Sequence, residues 1–133
     1  MHQEKLKDGK VIDLHRYDLD DGWIALAGRT DYDNDILSIK IAKPNDFWFH
    51  VRGMPGSHVV LHHENAKGEP DKSIIKQAAA IAAWHSKARN GGMAAVSCTQ
   101  AKNVSKPRRA KPGAVTVRKE KVIKVRPAAP QKK

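Results

Sequence analysis

The stretch from Asp46 to Leu61, DFWFHVRGMPGSHVVL, constrains the fold of this chain more than any other. It holds two runs of aromatic or β-branched residues, Phe47 to Val51 and His58 to Leu61, separated by Arg52-Gly53-Met54-Pro55-Gly56-Ser57. Runs of this kind, punctuated by Gly and Pro, spell two strands, expected at 47–52 and 57–63, joined by a tight turn. Proline presets φ at one turn position, and Gly56 is expected to supply a positive φ just after it. In the first strand, alternation places Phe47, Phe49 and Val51 on one face and Trp48, His50 and Arg52 on the other. An aromatic ring, an imidazole and a guanidinium in a row can stack bases and hold phosphates. The same side chains can equally belong to a buried sheet, where large aromatics on strands usually end.

The rest of the chain reads as further strands and one long helix. Asp20-Asp21-Gly22 separates two apolar-rich runs and signals a hairpin. Trp23 to Ala27 is nearly all apolar, which implies cover on both faces. Residues 31–42 are ambiguous, because Leu37, Ile39 and Ile41 alternate while Leu37 and Ile41 are also four apart. The best helix runs from Ser73 to Arg89, capped by Asp71 or Ser73 and stopped by Asn90-Gly91-Gly92. Its alanines, Ala78, Ala79, Ala80, Ala82 and Ala83, permit close approach to a sheet. Met93 to Thr99 reads as a buried strand, and Ala114 to Arg118 with Lys121 to Val125 as a hairpin through Lys119-Glu120. The expected class is α+β, with a mostly antiparallel sheet and a helix at about 73–89. Residues 1–10 are expected to be flexible, 11–126 to form a single domain, and 127–133 to be a disordered basic tail.

Charge is placed very unevenly. Residues 1–100 contain 13 basic and 13 acidic side chains, whereas residues 101–133 contain 12 basic side chains and one acid, Glu120. The whole net charge of +11 therefore resides in the last quarter. A segment that basic attracts polyanions, nucleic acid first and an anionic membrane surface second. Lys102, Lys106, Arg108, Arg109 and Lys111 fall in a loop stiffened by two prolines, and Arg118 follows them. These are the leading candidates for phosphate contact, with Arg52, Trp48 and His50 second. A basic segment can also dock an acidic protein, and phosphate contacts do not separate RNA from DNA.

Other chemistries fit less well. His50, His58, His62 and His63 lie close together, but zinc sites draw on tighter ligand pairs and there is no second Cys beside Cys98. Asp46, Ser57 and His58 contain the residue types of a hydrolytic triad. Adjacent strand residues face opposite ways, however, and the Gly-x-Ser-x-Gly elbow is missing. No Walker or G-x-G-x-x-G pattern is present. The expectation is no enzyme, no cofactor and no metal. A single cysteine suits a reducing cytoplasm, and no apolar run is long enough to serve as a signal peptide or bilayer span.

The central stretch resembles the signature of the NFACT RNA-binding domain family, NFACT-R. Its motif matches Asp46, Trp48, Phe49, His50, Pro55, Gly56, Ser57 and His58. Gly28-Arg29, Asn34-Asp35, Leu37 and Ala42 upstream also fit. So do Ala78-Ala79, Ala82-Ala83 and Ser86, then Lys106-Pro107, Lys111-Pro112-Gly113 and Val125-Arg126-Pro127 downstream. The resemblance covers roughly residues 20–127 and favours a short helix at about 33–42. It implies a free-standing RNA-binding module whose ligand class is rRNA or tRNA. The larger members work in ribosome-associated quality control on the large ribosomal subunit, so that subunit becomes a candidate partner. The resemblance does not carry over their tRNA-selecting and tailing activity, which belongs to chains with additional domains.

Overall fold

The computed structural model describes residues 2–65 and 68–130. Nine strands are described: β1 (His2–Lys5), β2 (Val11–Asp18), β3 (Trp23–Ala27), β4 (Phe47–Val51), β5 (Val59–His63), β6 (Ala94–Gln100), β7 (Val104–Ser105), β8 (Thr116–Val117) and β9 (Lys121–Val125). Two α-helices, α1 (Asp31–Ile36) and α2 (Lys72–Trp84), complete the frame. Seven strands form one sheet in the order β1-β2-β3-β5-β4-β6-β9, antiparallel at every pairing. β7 and β8 form a separate two-stranded sheet. The fold is α+β, as the strand-rich sequence implies.

Two apolar cores lie on the two faces of the large sheet. Phe49, Val51, Val59, Leu61, Val96 and Ala25 pack with Ile74, Ala78, Ile81 and Ala82 of α2. The alanine-rich side of α2 lets the helix approach strands β3 to β6 and β9 closely. Trp48, Val60, Leu26 and Leu14 face the other way, onto Ile36 and Leu37 of the α1 region and Val104 of β7. Every residue of β3 is buried, because both faces of that strand are covered.

The ambiguous 31–42 stretch is helical. Thr30, rather than Asp33 or Asn34, caps α1 by accepting from the Asp33 amide. The helix then widens into a π-turn over Leu37–Ile41, closed by Ala42 N–H donating to Leu37 O at 2.9 Å. This turn buries Ser38.

Several expectations require correction. The N-terminal segment, expected to be flexible, forms β1 and pairs with β2. The left-handed Gly9 (φ 89°) and the bond from Leu6 N to Lys10 O turn the chain between them. α2 ends at Trp84, so Lys87 and Arg89 lie beyond the helix. The backbone at Lys119 does turn, at φ 54°, but the strands beside it do not pair with each other. β8 pairs with β7 and β9 with β6. Gly53 (φ 73°) takes the positive φ in the central turn, not Gly56. Of the expected disordered tail, residues 131–133 lie outside the described residues. Ala128 N–H donates to Ala80 O at 3.2 Å, and Ala129 packs against the α2 core. Among the described residues no helix is long and apolar enough to cross a membrane.

Candidate nucleic-acid interface

The central motif builds a polar hub beneath the sheet's second face. Trp48 Nε1 donates to Ser38 Oγ at 2.8 Å, and Ser38 Oγ lies 2.8 Å from His58 Nδ1. An indole N–H can only donate, so Ser38 accepts from Trp48 and has its own proton to give to His58. Burial pushes the His58 imidazole down from the usual 6.5 to about 4; His50 adds repulsion, while the Asp35 carboxylate and hydrogen bonding to the Gly113 backbone partly oppose the fall. His58 is therefore neutral near pH 7. Asn34 Oδ1 accepts from His58 N at 3.0 Å, and Asn34 Nδ2 donates to Gly56 O at 3.4 Å.

Close packing explains the glycines around this hub. A Cβ on Gly28 would sit 2.0 Å from Asn34 Oδ1, and one on Gly56 would sit 2.6 Å from Ser86 Cβ. Ser57 Oγ donates to Gly28 O at 2.6 Å and so faces away from His58. Asp46 holds a different corner, accepting from Lys43 N at 2.8 Å and pairing with His62 Nδ1 at 2.8 Å. The would-be triad is thus spread over three separate contacts. Cys98 lies in the α2 core, on the opposite face from His58, and burial raises its thiol to about 11. Among the described residues no cluster of three or more His, Cys, Asp or Glu side chains could hold a metal ion.

The same hub ties down the basic loop between β7 and β8. Asp35 Oδ1 accepts from Gly113 N at 3.1 Å, and Asp35 Oδ2 pairs with Lys106 Nζ at 3.1 Å. Lys106 Nζ also donates to Ala114 O at 2.9 Å and to Lys111 O. Lys106 is a leading candidate for phosphate contact by sequence, but its ammonium is committed to closing the loop. Arg108, Arg109 and Lys111 remain exposed on the outside of that closure. Arg109 is left-handed at φ 66°, within a tight turn closed by Ala110 N–H to Pro107 O at 3.1 Å. At the other end of the small sheet, Arg118 N donates to Asn103 O at 2.9 Å. That bond brings the exposed Lys102 and Arg118 together.

Of the second-rank candidates, Trp48 is only 1% exposed and belongs to the core. His50 is half-buried, and burial lowers its pKa. Arg52 is exposed, with a long 3.8 Å approach to Glu120. His50, Arg52, His58, Gly113 and Val117 line a cleft of about 230 Å³ beside the loop. Beyond it, strand pairing brings Lys124 of β9 across from Ala95, next to Arg52.

A family model of the NFACT protein RNA binding domain matches residues 14–119. The chain belongs to this family. It is similar to the Rqc2 homolog RqcH of Bacillus subtilis (strain 168), 37% identical over 96% of the chain and 21% of that protein. It is also similar to the Rqc2 homolog RqcH of Streptococcus suis (strain 05ZYH33), 39% identical over 95% of the chain and 22% of that protein. The chain thus spans about a fifth of the length of the curated relatives it matches. Among solved structures it is similar to the C-terminal part of the fibronectin/fibrinogen-binding protein from Streptococcus suis. That likeness has a TM-score of 0.74 and 35% identity, and covers 95% of this chain and 45% of the other.

The NFACT-R motif is, in this member, an architectural device: it joins α1, the central turn and the basic loop. Reading the sequence missed Asp35 and Ser38 as the residues that do the joining. Asn34-Asp35 stands out in sequence as a family match, but its partners are Gly56, His58, Lys106 and Gly113, all distant along the chain.

Proposed function

We propose that this domain binds RNA without chemistry, gripping phosphates with Lys102, Arg108, Arg109, Lys111 and Arg118. Arg52 and His50 form an adjoining surface for an unpaired base, while Trp48 and Lys106 support that surface from behind. The observation that carries this reading is the anchored loop. Its two ends are fixed through Asp35, which leaves Arg108, Arg109 and Lys111 presented outward at little entropic cost on binding. Membership of an RNA-binding family supports RNA over DNA. The RqcH relatives support a cytoplasmic, ribosome-associated setting, with rRNA or tRNA as ligand and the large subunit as partner.

Binding should be measured across a salt series with tRNA, an rRNA fragment and duplex DNA. A preference for structured RNA with a steep salt slope is expected. Changing Arg108, Arg109 and Lys111 to Gln should flatten the slope by about 0.7 to 0.9 for each phosphate no longer neutralised and leave the melting temperature unchanged. Equal weak binding to every polyanion, or an unaltered slope in the variant, would overturn the reading.

A further inference from the structure

A second group of cations converges on the other side of the central turn. Arg29 follows β3, and Lys87 and Arg89 follow α2, yet all three line one cleft of about 410 Å³ whose floor is Pro55-Gly56-Ser57. Their meeting is built by the turn itself. Ser57 N donates to His85 O at 2.9 Å, Lys87 N donates to Pro55 O at 3.3 Å, and Gly56 bridges to Ser86. These bonds stop α2 at Trp84 and draw the following segment across the turn.

The electrostatics of the cleft favour an anion. Three cations face one lining carboxylate, Asp31. Asp13 approaches Arg29 only to 3.8 Å, with both side chains more than two-fifths exposed, which neutralises little. The C-terminal carbonyls of α2 would repel an anion, but Arg89 Nε donates to Trp84 O at 2.6 Å. Its guanidinium lies 4.4 Å from the Trp84 ring, which fixes the plane; one donor of five is used by the carbonyl. The wall is rigid too. His15 and His85 stack with centroids 4.4 Å apart, and Tyr17 Oη lies 2.7 Å from His85 Nε2. The cleft adjoins the basic loop, because a Cβ on Gly113 would lie 3.0 Å from Asp31 Oδ1.

We propose that Arg29, Lys87 and Arg89 form a second phosphate-binding subsite, which takes a backbone phosphate of the RNA held by the 106–113 loop. The subsite rests on the RNA-binding reading and extends it across the central turn. One bound RNA then touches both sides of the Pro-Gly-Ser turn, and the motif sets the spacing of the two contacts.

The test compares R29Q/K87Q with R108Q/R109Q/K111Q, using tRNA across a salt series and the unaltered chain as reference. Arg89 stays in place because it also packs on Trp84. R29Q/K87Q is expected to keep its melting temperature and to lower the salt slope by about 0.7 to 0.9, the value for one phosphate. An unchanged slope in R29Q/K87Q beside a lowered one in R108Q/R109Q/K111Q would overturn the subsite alone. Failure of the unaltered chain to bind either tRNA or an rRNA fragment would overturn the RNA-binding reading and the subsite with it. Should R29Q/K87Q fold poorly, amide spectra of the unaltered chain with added tRNA give the same answer. Shifts at Arg29, Lys87 and Arg89 support the subsite, and shifts confined to residues 102–126 overturn it.

Discussion

α2 and the basic loop are both packed onto the large sheet, on opposite faces, and they are held there by different physics. α2 is fixed by broad apolar contact: Ile74, Ala78, Ile81 and Ala82 are all at most 2% exposed. Such contact is non-directional and shared among many atoms. The loop is fixed by a handful of polar atoms, chiefly one carboxylate and one imidazole. Those bonds are directional and few, so each carries more of the loop's geometry. The helix supplies stability; the loop's anchors supply a shape that presents charge.

The contrast between helix and loop breaks most visibly at the helix. Ile81→Ala should cost about 2–5 kcal/mol of unfolding free energy, read by denaturant titration, while the folded fraction keeps its RNA affinity. An equal loss of affinity per folded molecule would mean that α2 also shapes the interface.

Acid should act on the other face. As pH falls through 6.5, the unfolded chain protonates His58, while the folded protein resists until about pH 4. The unfolded state then binds more protons, so stability falls with pH across that window. The loss from this group is on the order of 3 kcal/mol. Urea titrations at pH 7 and pH 4.5 should show it, and H58Q should remove part of the dependence. An identical pH profile in H58Q would show that His58 is not the group responsible.

The smallest and most local effect is expected from Asp35→Asn. It should cost about 1.5–3 kcal/mol, the range for hydrogen bonds to a charged group. Hydrogen exchange should speed up in residues 106–114 with α2 protected as before, and RNA affinity should drop although no exposed cation has been altered. Unchanged exchange in the loop would show that the closure survives without the Asp35 charge.

Local signals in the sequence located most of the frame. The apolar run of β3, the alternation of β4 and the alanine face of α2 each depend on neighbours in the chain, and each was legible. The termination of α2 was not, because it is imposed by Pro55 and Ser57 from another strand pair rather than by Asn90-Gly91-Gly92. The β8–β9 hairpin misled for the opposite reason. A true local turn at Lys119 joins strands that find better partners in β7 and β6. Polar composition hid β1, although Asp8-Gly9 is a readable turn signal. In the site, exposed cations were legible as charge, but the role of Lys106 was not, since its partner Asp35 precedes it by most of the domain. The same distance concealed Lys87 and Arg29 as neighbours.

β9 is the last strand of the large sheet, and among the described residues its outer edge has no partner strand. Such an edge invites pairing with another chain, the more so because Val122 is 45% exposed. Lys121 and Lys124 flank that valine, and their charge opposes the approach of a second copy of the same edge. Lys124, which enlarges the positive field beside Arg52, thus also opposes self-pairing of that edge. Both Lys121 and Lys124 are therefore residues to retain in solubility engineering.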